Sequence, residues 1–205
     1  RRHFIQKKGG GLVPTDIRRL IQSQLSGKLS ARDTGLFTLK KKLVEAGIEV
    51  QFPFGNKIIG EYKGIPVTFI PSRKRSFYDV ELAFFRAIRE NPVHIVHNRY
   101  GENRGYIGKS ASTEVAYAIL HHKPIVMLYR PACSDSVPTP INKLIKVNSR
   151  RFIVKKIDLF GTEELYAYIS DAIADFRQQY DLCDVATEIG VMDSIVKLFE
   201  SYKSQ

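Results

Sequence analysis

Cysteine is nearly missing from this 205-residue chain. Only Cys133 and Cys183 occur, too few for a disulfide framework and in keeping with a reducing compartment. Long apolar runs are missing too. No stretch reaches the roughly 20 apolar residues of a membrane-spanning helix, and the opening Arg1-Arg2-His3-Phe4 lacks the apolar core of a secretion signal. The chain therefore reads as a cytoplasmic protein with no membrane partner. Acidic residues are the minority: 21 Asp and Glu against 32 Lys and Arg leave a formal charge of +11. Such charge draws phosphate-bearing partners, although a solvated basic surface would carry it equally well.

Several catalytic signatures are also lacking. No G-x-S-x-G elbow surrounds a serine, and Cys133 sits in a proline-rich loop without an evident base, which argues against serine or cysteine hydrolysis. Gly108-Lys109-Ser110 matches the end of the phosphate loop of nucleoside triphosphatases, but the first glycine of that loop would be Asn103. Gly101, Gly105 and Gly108 are spaced four and three apart, not two and three as a dinucleotide fingerprint requires. His94 and His97, three apart on a strand-like run, point to opposite faces, and His121 and His122 are adjacent at a helix end. Neither a metal nor a cofactor is expected.

What is present is alternation. Residues 1–15 are basic, carry Gly9-Gly10-Gly11 and lack periodicity, so a flexible arm is expected, followed by one domain over residues 16–205. Residues 16–29 fit a helix or a strand, with a strand near 21–26 the preferred reading. Leu36, Leu39, Leu43 and Val44 recur at helical spacing before Gly47, and a strand is expected at 49–54. Residues 57–62 and 65–70 read as an inserted β-hairpin. The pattern then predicts a helix over 77–89, a strand at 93–97, a glycine-rich loop over 99–108, a helix over 111–121 and a strand at 125–129. A proline-rich loop at 131–140 leads to a strand at 152–157. A helix over 162–180, with Thr162 as its cap, precedes a short helix over 192–202. The expected fold is α/β: a three-layer, Rossmann-like, mostly parallel sheet with an inserted hairpin. Ligands of such folds bind beyond the carboxyl ends of the strands.

The loop after His97 is accordingly where chemistry is sought. Its glycines allow tight turns, and the helix it opens offers N–H groups, with Ser110, Ser112 and Thr113 adding hydroxyls. On spacing alone, Ser110 could simply cap that helix and Glu114 complement its dipole. The run Gly105-Tyr106-Ile107-Gly108-Lys109-Ser110, followed by Glu114-Val115-Ala116-Tyr117-Ala118 and Lys123-Pro124-Ile125, resembles the nucleoside 2-deoxyribosyltransferase superfamily. The likeness covers roughly residues 27–129. Ala111 and Asn91-Pro92 depart from the family pattern, which commonly has a threonine and an aspartate there.

The resemblance implies an enzyme, a transferase or hydrolase that cleaves or exchanges the N-glycosidic bond of a nucleoside or its 5′-monophosphate, with Glu114 as the nucleophile. It also implies a homo-oligomer whose subunits complete each other's sites. Asp79 is the first choice for the acid that protonates the departing base, ahead of Asp33 and Tyr106. Gly27, Lys28, Asn98, Tyr106, Gly108 and Ser110 are the expected substrate contacts. The competing reading is a noncatalytic nucleotide-binding sensor or a nucleic-acid-associated module. Arg73-Lys74-Arg75, beside Phe77 and Tyr78, would then grip phosphates together with the basic arm, although a solvated loop accounts for that charge as well.

Overall fold

The computed structural model describes residues 4–6, 12–14, 21–27, 35–51, 58–62, 65–68, 77–177, 179–182 and 184–203. At its centre five parallel strands are hydrogen-bonded in one sheet: β1 (Ile21–Gly27), β2 (Ile48–Gln51), β3 (His94–His97), β4 (Ile125–Met127) and β5 (Ile153–Val154). Their order across the sheet is β5-β4-β3-β1-β2. Read from the other edge this is the 2-1-3-4-5 order of doubly wound sheets, in which the connections change direction between β1 and β3. Every residue of β3 and β4 is buried, as strands covered by helices on both faces must be.

Two apolar clusters form because the side chains of each strand alternate between faces. On one face Leu25, Ile95, Val126 and Leu128 pack with Leu36, Leu39 and Leu43 of helix α1 (Gly35–Glu45), and with Leu165 and Ile169 of helix α5 (Thr162–Asp175). On the other, Val96, Ile125 and Met127 meet four helices: α2 (Phe77–Glu90), α3 (Lys109–Leu120), α4 (Thr139–Asn148) and α6 (Val185–Lys203). The three-layer, Rossmann-like architecture expected from the alternation is therefore present, and so is the hairpin, with Ile58–Tyr62 antiparallel to Ile65–Thr68. No described helix is long and apolar enough to cross a membrane.

Several local expectations are corrected. Phe4–Gln6 pairs antiparallel with Leu12–Pro14, so part of the expected arm is paired although its sequence lacks strand periodicity. Helix α4 occupies a region read as proline-rich loop and left unassigned; Pro140 lies in its first turn, where the missing N–H is no loss. The cap of α5 is Gly161, without a side-chain bond, and not Thr162. That helix ends at Asp175, and the Tyr180 expected within it is buried, its hydroxyl donating to the Lys123 carbonyl at 2.8 Å. Helix α6 begins a full two turns earlier than expected. Val44, counted as a core position, is exposed on α1.

Candidate functional site

Gly27 ends β1 and His97 ends β3, the two strands between which the order reverses. A Cβ on Gly27 would lie 2.9 Å from the His97 carbonyl oxygen and 2.9 Å from Leu36 Cδ1, so the close approach of the two strand ends requires glycine. Beyond them lies a crevice of about 230 Å³, lined among the described residues by Gly27, His97, Tyr106, Gly108, Lys109 and Ser110, with Val96 and Ala111 completing the wall. The glycine-rich loop shapes one side. Gly105 holds a positive φ of 83°, and a Cβ there would come within 2.2 Å of the Arg130 carbonyl oxygen, which only glycine accommodates. Tyr106 and Ile107 then run parallel to Ala132–Cys133, which ties the loop to the segment following β4. Gly108 is the N-cap of α3, and no side chain caps this helix, so Ser110 is free of the capping role that its spacing allowed.

Two carboxylates on different helices are buried without lining the crevice: Glu114, against Ser26 next to Gly27, and Glu81. Glu114 projects from α3 and is only 4% exposed. It meets the Ser26 hydroxyl at the end of β1. Glu81 projects from α2, is 7% exposed, and its Oε2 has no hydrogen-bond partner among the described residues. Burial lifts the Glu81 carboxyl to about 7, with a hydrogen bond from Ser110 working against the rise. Glu114 is pushed well above the usual carboxylate range, first by burial and then by the neighbouring Glu81 charge, while the Ser26 hydroxyl opposes both. Near neutral pH the pair thus holds at least one proton between its members.

A second feature fits a protonated Glu114. Ser26 Oγ also lies 3.3 Å from Gln24 Oε1. A hydroxyl has one proton, so it cannot donate to both oxygens. With the proton on Glu114, that carboxyl donates to Ser26 Oγ, Ser26 donates to Gln24 Oε1, and the Gln24 amide donates to the Leu25 carbonyl at 3.3 Å. Every hydroxyl in the chain is then used. His94 is the cross-strand neighbour of Gln24. It is fully buried, with no partner for either ring nitrogen among the described residues, and burial drives it down to about 3.

Of the residues singled out by sequence, Gly27, Tyr106, Gly108 and Ser110 line the crevice, whereas Glu114 is buried and is not part of its lining. Lys28 and Asp33 lie outside the described residues, as do Arg73, Lys74 and Arg75. Asp79 is not brought in. It is exposed, and it lines a separate depression on the outer side of α2 with Gln51, Leu82 and Arg86. Asn98 is not brought in either, because its amide is occupied within the fold: Oδ1 accepts from the Leu128 and Tyr129 N–H groups at 3.1 and 3.0 Å, and Nδ2 donates to the Tyr129 carbonyl at 2.7 Å. The sequence reading missed Glu81, Ser26 and His97. For Glu81 a signal existed, because it shares the stripe of Phe85 and Ile88 at i+4 and i+7, where an acidic residue is out of place unless it has a task. Compared with protein-family models and with curated protein sequences, the chain matches none.

Proposed function

We propose that this protein cleaves or exchanges the N-glycosidic bond of a nucleoside or nucleoside 5′-monophosphate, with Glu114 as nucleophile. The observation that carries the reading is the pair of buried carboxylates, Glu114 and Glu81, whose serine partners Ser26 and Ser110 respectively adjoin Gly27 of the crevice and line it, at the point where the strand order reverses. That crevice is smaller than the roughly 300–1,000 Å³ of sites for drug-sized ligands, which suits a sugar ring with its base reaching outward. The local resemblance of residues 105–125 to the deoxyribosyltransferase superfamily points the same way.

The chemistry follows from the shared proton. Burial favours the neutral form of both carboxyls, and the neighbouring Glu81 charge adds to this at Glu114. Positive charge developing at the anomeric carbon favours an ionised Glu114, leaving the pair's proton on Glu81. The Glu114 carboxylate then forms a bond to that carbon as the C–N bond breaks, and the electron pair departs with the base, which takes up a proton. Water or a second base attacks the glycosyl ester, releases the sugar and restores the carboxylate.

The test is incubation with a panel of nucleosides and their 5′-monophosphates, followed by chromatography for free base. Wild type is expected to release base, and Glu114→Gln to lower the rate at least about 1,000-fold, as loss of a covalent nucleophile does. Binding without any base release would instead assign the crevice to a nucleotide sensor.

A further inference from the structure

The likeness to a known superfamily ends near residue 129, yet the last helix reaches the site. Helix α6 packs against α2 and α4. Phe199 lies against Tyr78 and Phe85 of α2 with ring centroids 5.4 and 5.1 Å apart, and the Lys203 ammonium sits 5.1 Å from the Tyr78 ring centre. These contacts place the Tyr202 hydroxyl 3.1 Å from Ser110 Oγ. Ser110 in turn lines the crevice and is the hydroxyl that holds the Glu81 carboxyl down against the effect of burial. One hydroxyl therefore lies between a carboxylate, which can only accept when ionised, and a phenol, which can do either. One assignment consistent with these contacts has Tyr202 donating to Ser110 and Ser110 donating to Glu81.

We propose that Tyr202 is a positioning residue of the carboxylate pair: its phenol holds the Ser110 proton on Glu81, so the C-terminal helix sets how the pair carries its proton. Ser110, on α3, is placed between Glu81 and Tyr202, whereas Ser26, at the end of β1, meets Glu114. Glu81 is faced by Glu114 and Ser110 from α3 and by Tyr202 from α6. Among the described residues, no basic group is among the causes that shift either carboxyl. The hydroxyl donors at the pair favour its ionised form, so their orientation carries weight. Tyr202 itself is driven up by burial, against the opposing hydrogen bond with Ser110 and with the two carboxylate charges adding to the rise, which keeps the phenol protonated and able to donate. The inference rests on the functional reading only for its catalytic consequence; the hydrogen-bond relay stands without it.

The experiment is a carbon-13 NMR titration of the full-length protein labelled at glutamate side chains, with Glu81→Gln and Glu114→Gln used to assign the pair. In Tyr202→Phe the Glu81 step, at about 7 in the wild type, is expected to move up by about one pH unit, a tenfold change in proton affinity. Ser110→Ala should give a similar shift, and adding Tyr202→Phe to Ser110→Ala should add nothing, because the phenol acts through the serine. An unmoved Glu81 step in a Tyr202→Phe protein with wild-type circular dichroism overturns the proposal, as do additive shifts. No turnover is needed for this readout. A chain that releases no base from any nucleoside removes the glycosidic reading and leaves the relay standing, whereas base release with an unmoved titration does the reverse.

Discussion

Glu81 illustrates how a single buried residue couples stability to pH. Its carboxyl titrates near 7 in the folded protein against an ordinary value of 4.5, so between those values the folded state binds the proton more tightly than the unfolded one. Stability from this group is complete below about 4.5 and is lost as pH rises towards 7. A shift of this size amounts to roughly 3 kcal/mol. Glu81→Gln, which cannot ionise, is therefore expected to lose roughly 2–3 kcal/mol less than wild type between pH 5 and pH 8 in urea unfolding. Parallel pH dependences for the two proteins would mean that Glu81 is not the strained carboxylate. The same residue explains why Asp79 misled: two positions apart on one helix, the side chains point to nearly opposite sides. Only the inward one meets Glu114.

Among the elements, the junction after β3 is held by one side chain. Asn98 clamps the end of β3 to the segment leaving β4 through three backbone bonds. The glycine-rich loop starts from that clamp, with the Gly105 N–H donating to the Asn98 carbonyl at 2.7 Å. Asn98→Ala leaves two buried N–H groups and a carbonyl without their partner and is expected to destabilise by roughly 2–4 kcal/mol in denaturant unfolding. A loss below about 0.5 kcal/mol would show that the loop holds its place without the clamp. The sequence made Asn98 a substrate contact, but an asparagine that follows a strand can bond backbone as readily as a ligand, and its spacing does not tell which. Helix α4 was hidden for a comparable reason, its first-turn proline being the same signal that marks a loop.

At the scale of the whole molecule, the +11 charge and the carboxylate site make different demands on salt. Neutralising many phosphates of a nucleic acid releases counterions, so affinity for a strand falls steeply as salt rises. Turnover of a single nucleoside at two buried carboxylates involves no such release. Base release is expected to change less than about twofold between 50 and 200 mM salt, and a fall of tenfold or more would indicate that the basic surface takes part in substrate capture. The sequence by itself determined the alternation of strands and helices, the hairpin and the glycine-rich loop, because these are signals of periodicity and local spacing, whereas Glu114 became a candidate only through a local resemblance. Tertiary structure alone decided that Glu81 stands beside Glu114, that Ser26 and Ser110 bridge to the pair, and that Tyr202 reaches it from a helix 88 residues after Glu114. Local pattern constrains which face of an element is buried; it carries no information about which buried groups from distant elements will share one proton.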